Sequence, residues 1–151
     1  MVHIDDVSPV KARTTLKVGG QSFSGRVMRI VVCGDGPRLY GGTAAGVWRS
    51  DNAGDLWRQM AWPQPAPDTI AVPGSLPSPN IHAIWASPSN ADVVLAGVGH
   101  DARTTPRNGI YRSVDGAATW TLVHRFPSGS RLCTEIVSPA DAPNVKRMLL
   151  A

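Results

Sequence analysis

Arg26, His82, His100, Arg103, Arg107 and Arg131 are the side chains of this 151-residue chain whose types suit the capture of an acidic ligand, and Asp101 stands among them as a further candidate ligand contact. Guanidinium forks match carboxylate, sulfate and phosphate oxygens two at a time. Acid–base chemistry has thinner material. Hydrolysis of a glycosidic bond needs two placed carboxylates, and the candidates near those arginines, Asp68 and Asp101, carry no local mark of an acid or a base. No catalytic residue is assigned. His3, His82, His100 and His124 lack the spacing of metal ligands. Gly34-Asp35-Gly36 reads as a turn, and no Gly-rich loop leads into a helix, so neither a metal nor a cofactor is expected. Lys and Arg are scattered rather than blocked, although the net charge is +4, which argues against nucleic acid as a partner.

The elements that must position these residues are short strands. The chain has 15 Gly and 13 Pro, too many for a helical protein and too dispersed for a disordered one. Many strands joined by Gly/Pro turns use them naturally, and no stretch of 3.6 period appears, so the class is all-β. A repeat decides the architecture. Residues 46–57 and 109–120 align without a gap, Gly46 with Gly109, Arg49 with Arg112, Ser50 with Ser113 and Trp57 with Trp120, 63 residues apart. Each copy reads as strand, tight turn, strand. The Ser hydroxyl and the Asn52 or Asp115 side chain suit bonds to nearby backbone N–H groups. Gly54 and Gly116 suit positive φ, and the Trp supplies an apolar cover for the hairpin. Upstream strands repeat as well: 27–33 with 39–42, then 81–86 with 93–97. A third copy runs from 132–137 to 147–151, with Ser138-Pro139 matching Ser87-Pro88.

The two turns resemble the Asp box, or bacterial neuraminidase repeat, written S-x-D-x-G-x-T-W. Ser113, Asp115, Thr119 and Trp120 match it, with Ala117 in place of Gly; Ser50, Gly54 and Trp57 match in the first copy, with Asn52 for Asp and Leu56 for Thr. The resemblance covers roughly residues 25–151. It implies a β-propeller of four-stranded antiparallel blades, with each box on the turn between third and fourth strands. Blade one is then 23–63, blade two 81–127, and 128–151 the first half of blade three. Residues 1–22 form an N-terminal arm and 64–80 a Pro-rich connection. A propeller needs about four to eight blades to close, so about two and a half read as a fragment. Either the remainder of the propeller or another chain is expected at the open edge, whose unpaired N–H groups invite association.

The family includes sialidases, xyloglucan-type endoglucanases, sortilin-like receptors and assembly factors, so the box implies fold and not chemistry. Strand alternation puts the boxes on one rim and the second-to-third loops and blade connections on the other. The long connection and the insertion at 99–108 both fall on that other rim, where binding usually lives. Aligned first strands place Arg26, Asn80 and Arg131 at equivalent axis-proximal starts there. The sialidase arginine cluster makes an acidic ligand or glycan the natural candidate. Against catalysis, xyloglucan-type enzymes carry an Asp just after a second strand, where this chain has Thr43-Ala44-Ala45, and the sialidase Arg-Ile-Pro segment is absent. The reading is a non-catalytic binding or assembly platform; the alternative is a glycan-active hydrolase whose carboxylates lie partly in other blades. Cys33 and Cys133 each sit in an apolar run and read as two buried thiols. No segment reads as a secretory signal or membrane anchor. That leaves a cytoplasmic protein if the chain is complete and an extracytoplasmic one if it is part of an exported protein.

Overall fold

Alternation of apolar and polar residues, broken every few positions by a Gly, Pro, Asn or Asp turn, folds the described residues of this chain into antiparallel strands joined by turns. A computed structural model describes residues 26–34, 36–60, 74–99, 108–127 and 133–137 and the backbone of 149–150. Four strands, β1 (Val27–Val32), β2 (Leu39–Thr43), β3 (Gly46–Ser50) and β4 (Arg58–Gln59), pair in chain order as one antiparallel sheet. Four more, β5 (Ile81–Ala86), β6 (Val94–Val98), β7 (Gly109–Ser113) and β8 (Thr121–Arg125), repeat that order in a second sheet. Then β9 (Ile136–Val137) pairs with β10 (Leu149–Leu150). This is part of a β-propeller, two complete blades and the start of a third. The repeat extends to irregularities, because β1 and β5 carry the same bulge after their first residue.

Burial assigns the faces. Tyr40 and Val47 of blade one meet Ile81, Ile84, Val94, Ala96, Val98, Tyr111 and Trp120 of blade two in one core. Ala83, Leu95 and Ile110 point the other way, onto Cys133 and Ile136, with Trp85 partly buried in that second cluster. First strands follow one another, β5 against β1 and β9 against β5, and so line the inner edge. The same face that blade two buries is open on blade one: Ile84 is 1% exposed, while its counterpart Ile30 is 38% exposed.

One device recurs between blades. A Cβ on Gly42 of β2 would stand 3.0 Å from Ile81 Cγ2 and 3.2 Å from its carbonyl oxygen. A Cβ on Gly97 of β6 would stand 3.0 Å from Cys133 Cβ. In each blade, then, a second-strand glycine lets the next blade's first strand approach closely. This contact corrects the sequence alignment of blade three. Cys133 takes the place of Ile81, whereas the Ser-Pro match assigned that place to Leu132. Packing on the neighbouring blade sets strand register, and a one-residue slip would turn Cys133 and Ile136, 3% exposed each, away from it.

Both hairpin turns hold two consecutive residues at positive φ: Ala53 (59°) and Gly54 (104°) in the first, Gly116 (71°) and Ala117 (72°) in the second. Gly therefore serves one position in each copy, and an alanine is held left-handed at the other, at a cost of about 1 kcal/mol. Ala53 is exposed. Ala53→Gly is expected to stabilise the protein by about 0.5–1 kcal/mol, the relief of strain exceeding the added freedom of the unfolded chain. A thermal melt raised by roughly 2–4 °C is the expected readout; a lowered midpoint would contradict the assignment.

Candidate functional site

The two rims of the blades carry different chemistry. On the first, the strand β3 ends in Ser50, which is fully buried, and its hydroxyl organises the following turn. Ser50 Oγ donates to Asn52 Oδ1 at 2.9 Å and accepts the Gly54 N–H at 2.9 Å, while Asn52 Oδ1 also accepts the Leu56 N–H at 2.9 Å. Ser113 and Asp115 make the same bonds to each other, to Ala117 N–H and to Thr119 N–H, at 2.7, 2.9 and 2.9 Å. Asp115 has one bond more, since Thr119 Oγ1 donates to its second carboxylate oxygen at 2.5 Å. Thr119 thus adds a bond to a charged acceptor in the second copy, while the matching position in the first copy holds Leu56, which has no side-chain hydrogen-bonding group.

These side chains close a turn. Desolvation pushes the Asp115 carboxyl up, but the Thr119 hydroxyl and N–H, with Ser113 and the Ala118 N–H, outweigh it and bring it down to about 2. A carboxyl lowered in the folded state stabilises fully above its unfolded value and loses that contribution as pH falls through the folded one. The window for Asp115 is thus from about pH 5 down to about 2. Asp115→Asn keeps the Oδ1 bonds and replaces the charge-assisted bond from the Thr119 hydroxyl with a neutral one in which the amide donates. The variant is expected to melt slightly lower at neutral pH and to lose less stability than the parent across that acid window. Parallel melting curves for the two proteins down to pH 2 would refute the assignment.

Beside this turn lies an ionic clamp between blades. Arg38 Nε donates to Asp51 Oδ1 at 2.7 Å and its Nη1 to Asp92 Oδ1 at 2.5 Å. Arg49 binds Asp51 at 3.1 Å and donates to the Gly116 carbonyl at 2.9 Å. Tyr40 Oη donates to the Ala91 carbonyl at 2.7 Å. Desolvation pushes the Asp51 carboxyl up, yet the Arg38 and Arg49 guanidiniums hold it below the ordinary carboxylate range. Sequence reading missed this clamp, whose partners lie 54 and 67 residues apart. The one local signal is Asp51 itself, a charge at a position where the second copy has Val114.

The opposite rim is where a ligand site was expected. Arg26 is exposed there, at the start of β1, and its carbonyl accepts the Ala44 N–H at 2.9 Å. His82 is half-buried one residue into β5, at the bulge between Ile81 and Ala83, a feature that re-aims a side chain away from the regular ladder. Backbone bonds knit the rim around them: Gly46 N–H to Pro79 O at 2.8 Å, Gly99 N–H to Asn80 O at 3.3 Å, Phe126 N–H to Asn108 O at 3.0 Å. His100, Asp101, Arg103, Arg107 and Arg131 lie outside the described residues, as does Asp68. Trp85 packs on the cluster shared with Cys133 and Ile136.

Among the described residues no three His, Cys, Asp or Glu side chains cluster as metal ligands, and no helix is long and apolar enough to cross a membrane. Cys33 and Cys133 are both free and buried. Burial pushes each thiol up from its ordinary value, more than Arg38 at the first or the Glu135 backbone at the second draws it down.

No protein family matches the sequence, and no curated protein matches it either. Among solved structures, the fold is similar to the crystal structure of an ancestral GH74 enzyme, a β-propeller glycoside hydrolase. The TM-score is 0.58 at 17% sequence identity, over 84% of this chain. The chain spans 13% of the length of that enzyme's chain. Together with two four-stranded antiparallel sheets in chain order, this likeness makes the molecule part of a β-propeller.

Proposed function

We propose that this chain belongs to a non-catalytic β-propeller that serves as a binding or assembly platform, taking a glycan or other acidic ligand on the rim of Arg26 and His82. In this reading the turns at 50–57 and 113–120 are Asp boxes with a structural task, and the inserted rim does the binding. The observation that carries it is the state of the carboxylates. Of the described carboxylates, Asp51 and Asp92 are tied to arginines, Asp115 to its own turn and Glu135 to Arg29 at 2.6 Å, while Asp55 is exposed on the turn of the first repeat, away from the inserted rim. A general acid and base must instead face a cleft with their protons exchangeable. Arg26, by contrast, is exposed and suited to an anion.

A second reading is a glycan-active hydrolase module, favoured by the likeness to a GH74 enzyme. It requires an acid–base pair supplied from outside the described residues, with Asp68 and Asp101 as this chain's candidates.

Titration of acidic sugars and sulfated glycans tests the first reading. Binding is expected to weaken with salt, since exposed charge attraction is screened over roughly 8–10 Å at ordinary ionic strength. It should also weaken in an Arg26→Ala/Arg131→Ala double variant. Equal binding by both proteins, or by neither, removes the reading. Release of reducing ends from xyloglucan, lost in Asp101→Asn, would establish the second.

A further inference from the structure

Arg26 and Arg29 are three residues apart at the start of blade one, a spacing that in a regular strand sends two side chains to opposite faces. The bulge in β1 changes this. Val27 pairs with Thr43 and Arg29 with Gly42, so Met28 is the extra residue. Arg29 therefore shares the face of Gly42, and Val27 the other. The ladder continues to Arg26, whose carbonyl accepts the Ala44 N–H at 2.9 Å, and alternation from Val27 returns Arg26 to the face of Arg29. The two guanidiniums spring from one face, two ladder steps or about 7 Å apart.

On that face Arg29 meets a carboxylate from another blade. Its Nη2 donates to Glu135 Oε1 at 2.6 Å, across 106 residues of sequence. Arg29 lies opposite Gly42 as Ala83 lies opposite Gly97, and Ile136 pairs with Leu150 as Ile84 pairs with Ala96. Arg29, Ala83 and Glu135 thus hold one position in three successive copies. The pair spans blade two along the inner edge, past an alanine that brings no charge of its own. Both side chains stay open to water, at 41% and 43% exposure, and an ion pair so placed stabilises a fold little. A ligand anion can displace it.

We propose that Arg26 and Arg29 form a two-point anion site, and that Glu135 occupies the Arg29 guanidinium until an anionic oxygen of the ligand takes its place. This rests on the reading of the Arg26 rim as the binding surface, and adds the form of the ligand: two anionic groups about 7 Å apart, as a sugar sulfated on neighbouring rings carries them. Glu135 offers Arg29 the kind of oxygen that such a ligand offers. It also selects against single charges, because a singly charged sugar is held by Arg26 without gaining Arg29.

Calorimetric titration with two sugars tests this: a disaccharide bearing one sulfate on each ring, and the same disaccharide sulfated on one ring. The parent should prefer the first. Glu135→Gln should tighten the disulfated sugar roughly two- to fivefold, the strength of one exposed ion pair, and leave the monosulfated one nearly unchanged. Arg29→Gln should abolish the preference, and Glu135→Gln added to it should restore nothing. The melting midpoint of Glu135→Gln should stay within about 2 °C of the parent's, as surface changes do. Unchanged or weakened binding by Glu135→Gln, a gain that survives Arg29→Gln, or a midpoint many degrees lower overturns the proposal. If Arg26→Ala still weakens binding in that event, the rim reading stands without it; binding by no variant removes both.

Discussion

Trp120→Ala is expected to destabilise the protein by about 3–5 kcal/mol, the range for removing a large aromatic from a packed core. Trp120 is 4% exposed and belongs to the cluster shared by both blades. Its backbone N–H donates to the Gly74 carbonyl at 3.0 Å, so the segment entering blade two is pinned to this residue. Trp57, its counterpart, is only half-buried, and Trp57→Ala should cost less. Trp120→Phe should cost least, since the indole N–H is buried with no partner among the described residues and its removal relieves an unpaid donor. Urea unfolding of the three variants checks the order. Equal midpoints for Trp120→Ala and the parent would mean that the blades do not share this core.

Gly42→Val should be nearly as severe, at about 3 kcal/mol, toward the upper end of overpacking costs. The obstacle at 3.2 Å is the Ile81 carbonyl oxygen, and the nearest atom at 3.0 Å is the Ile81 Cγ2 beside it. A backbone atom cannot rotate aside as a flexible side chain can. Relief requires β5 to withdraw from β2, which separates the blades. The parent should unfold in one transition and the variant in two, each with a shallower denaturant slope. One transition at an unchanged midpoint would show that β2 and β5 are not packed as described.

The contrast between those two residues marks what could be read from the sequence. The hairpins were legible because strand, turn and strand are contiguous, and Ser, Asn or Asp, Gly and Trp act within eight positions of one another. Contacts between blades were not. Arg38 meets Asp92 and Arg49 meets Gly116 only after the sheets stack, and nothing near Arg38 in the chain marks it as a clamp. The glycines at 42 and 97 stood in the sequence as ordinary strand residues until the opposing Ile81 and Cys133 gave them a purpose. Blade three shows the same limit from the other side. Its Ser-Pro turn suggested one register, and burial of Cys133 and Ile136 chose the next, because the turn motif fixes sequence spacing whereas the packed face fixes which residue points inward. Which loops share a rim was legible, since strand alternation assigns loops to rims. His82 was legible as a candidate by type, but not the bulge that sets it.

The binding rim is the central functional claim, and backbone amide shifts during titration with a sulfated glycan test it most directly. Saturable shifts are expected at Arg26, Ala44, His82 and Asn108, which share one rim, with residues 51–56 and 114–119 unmoved. Shifts concentrated at those two turns, with Arg26 and His82 silent, would contradict it.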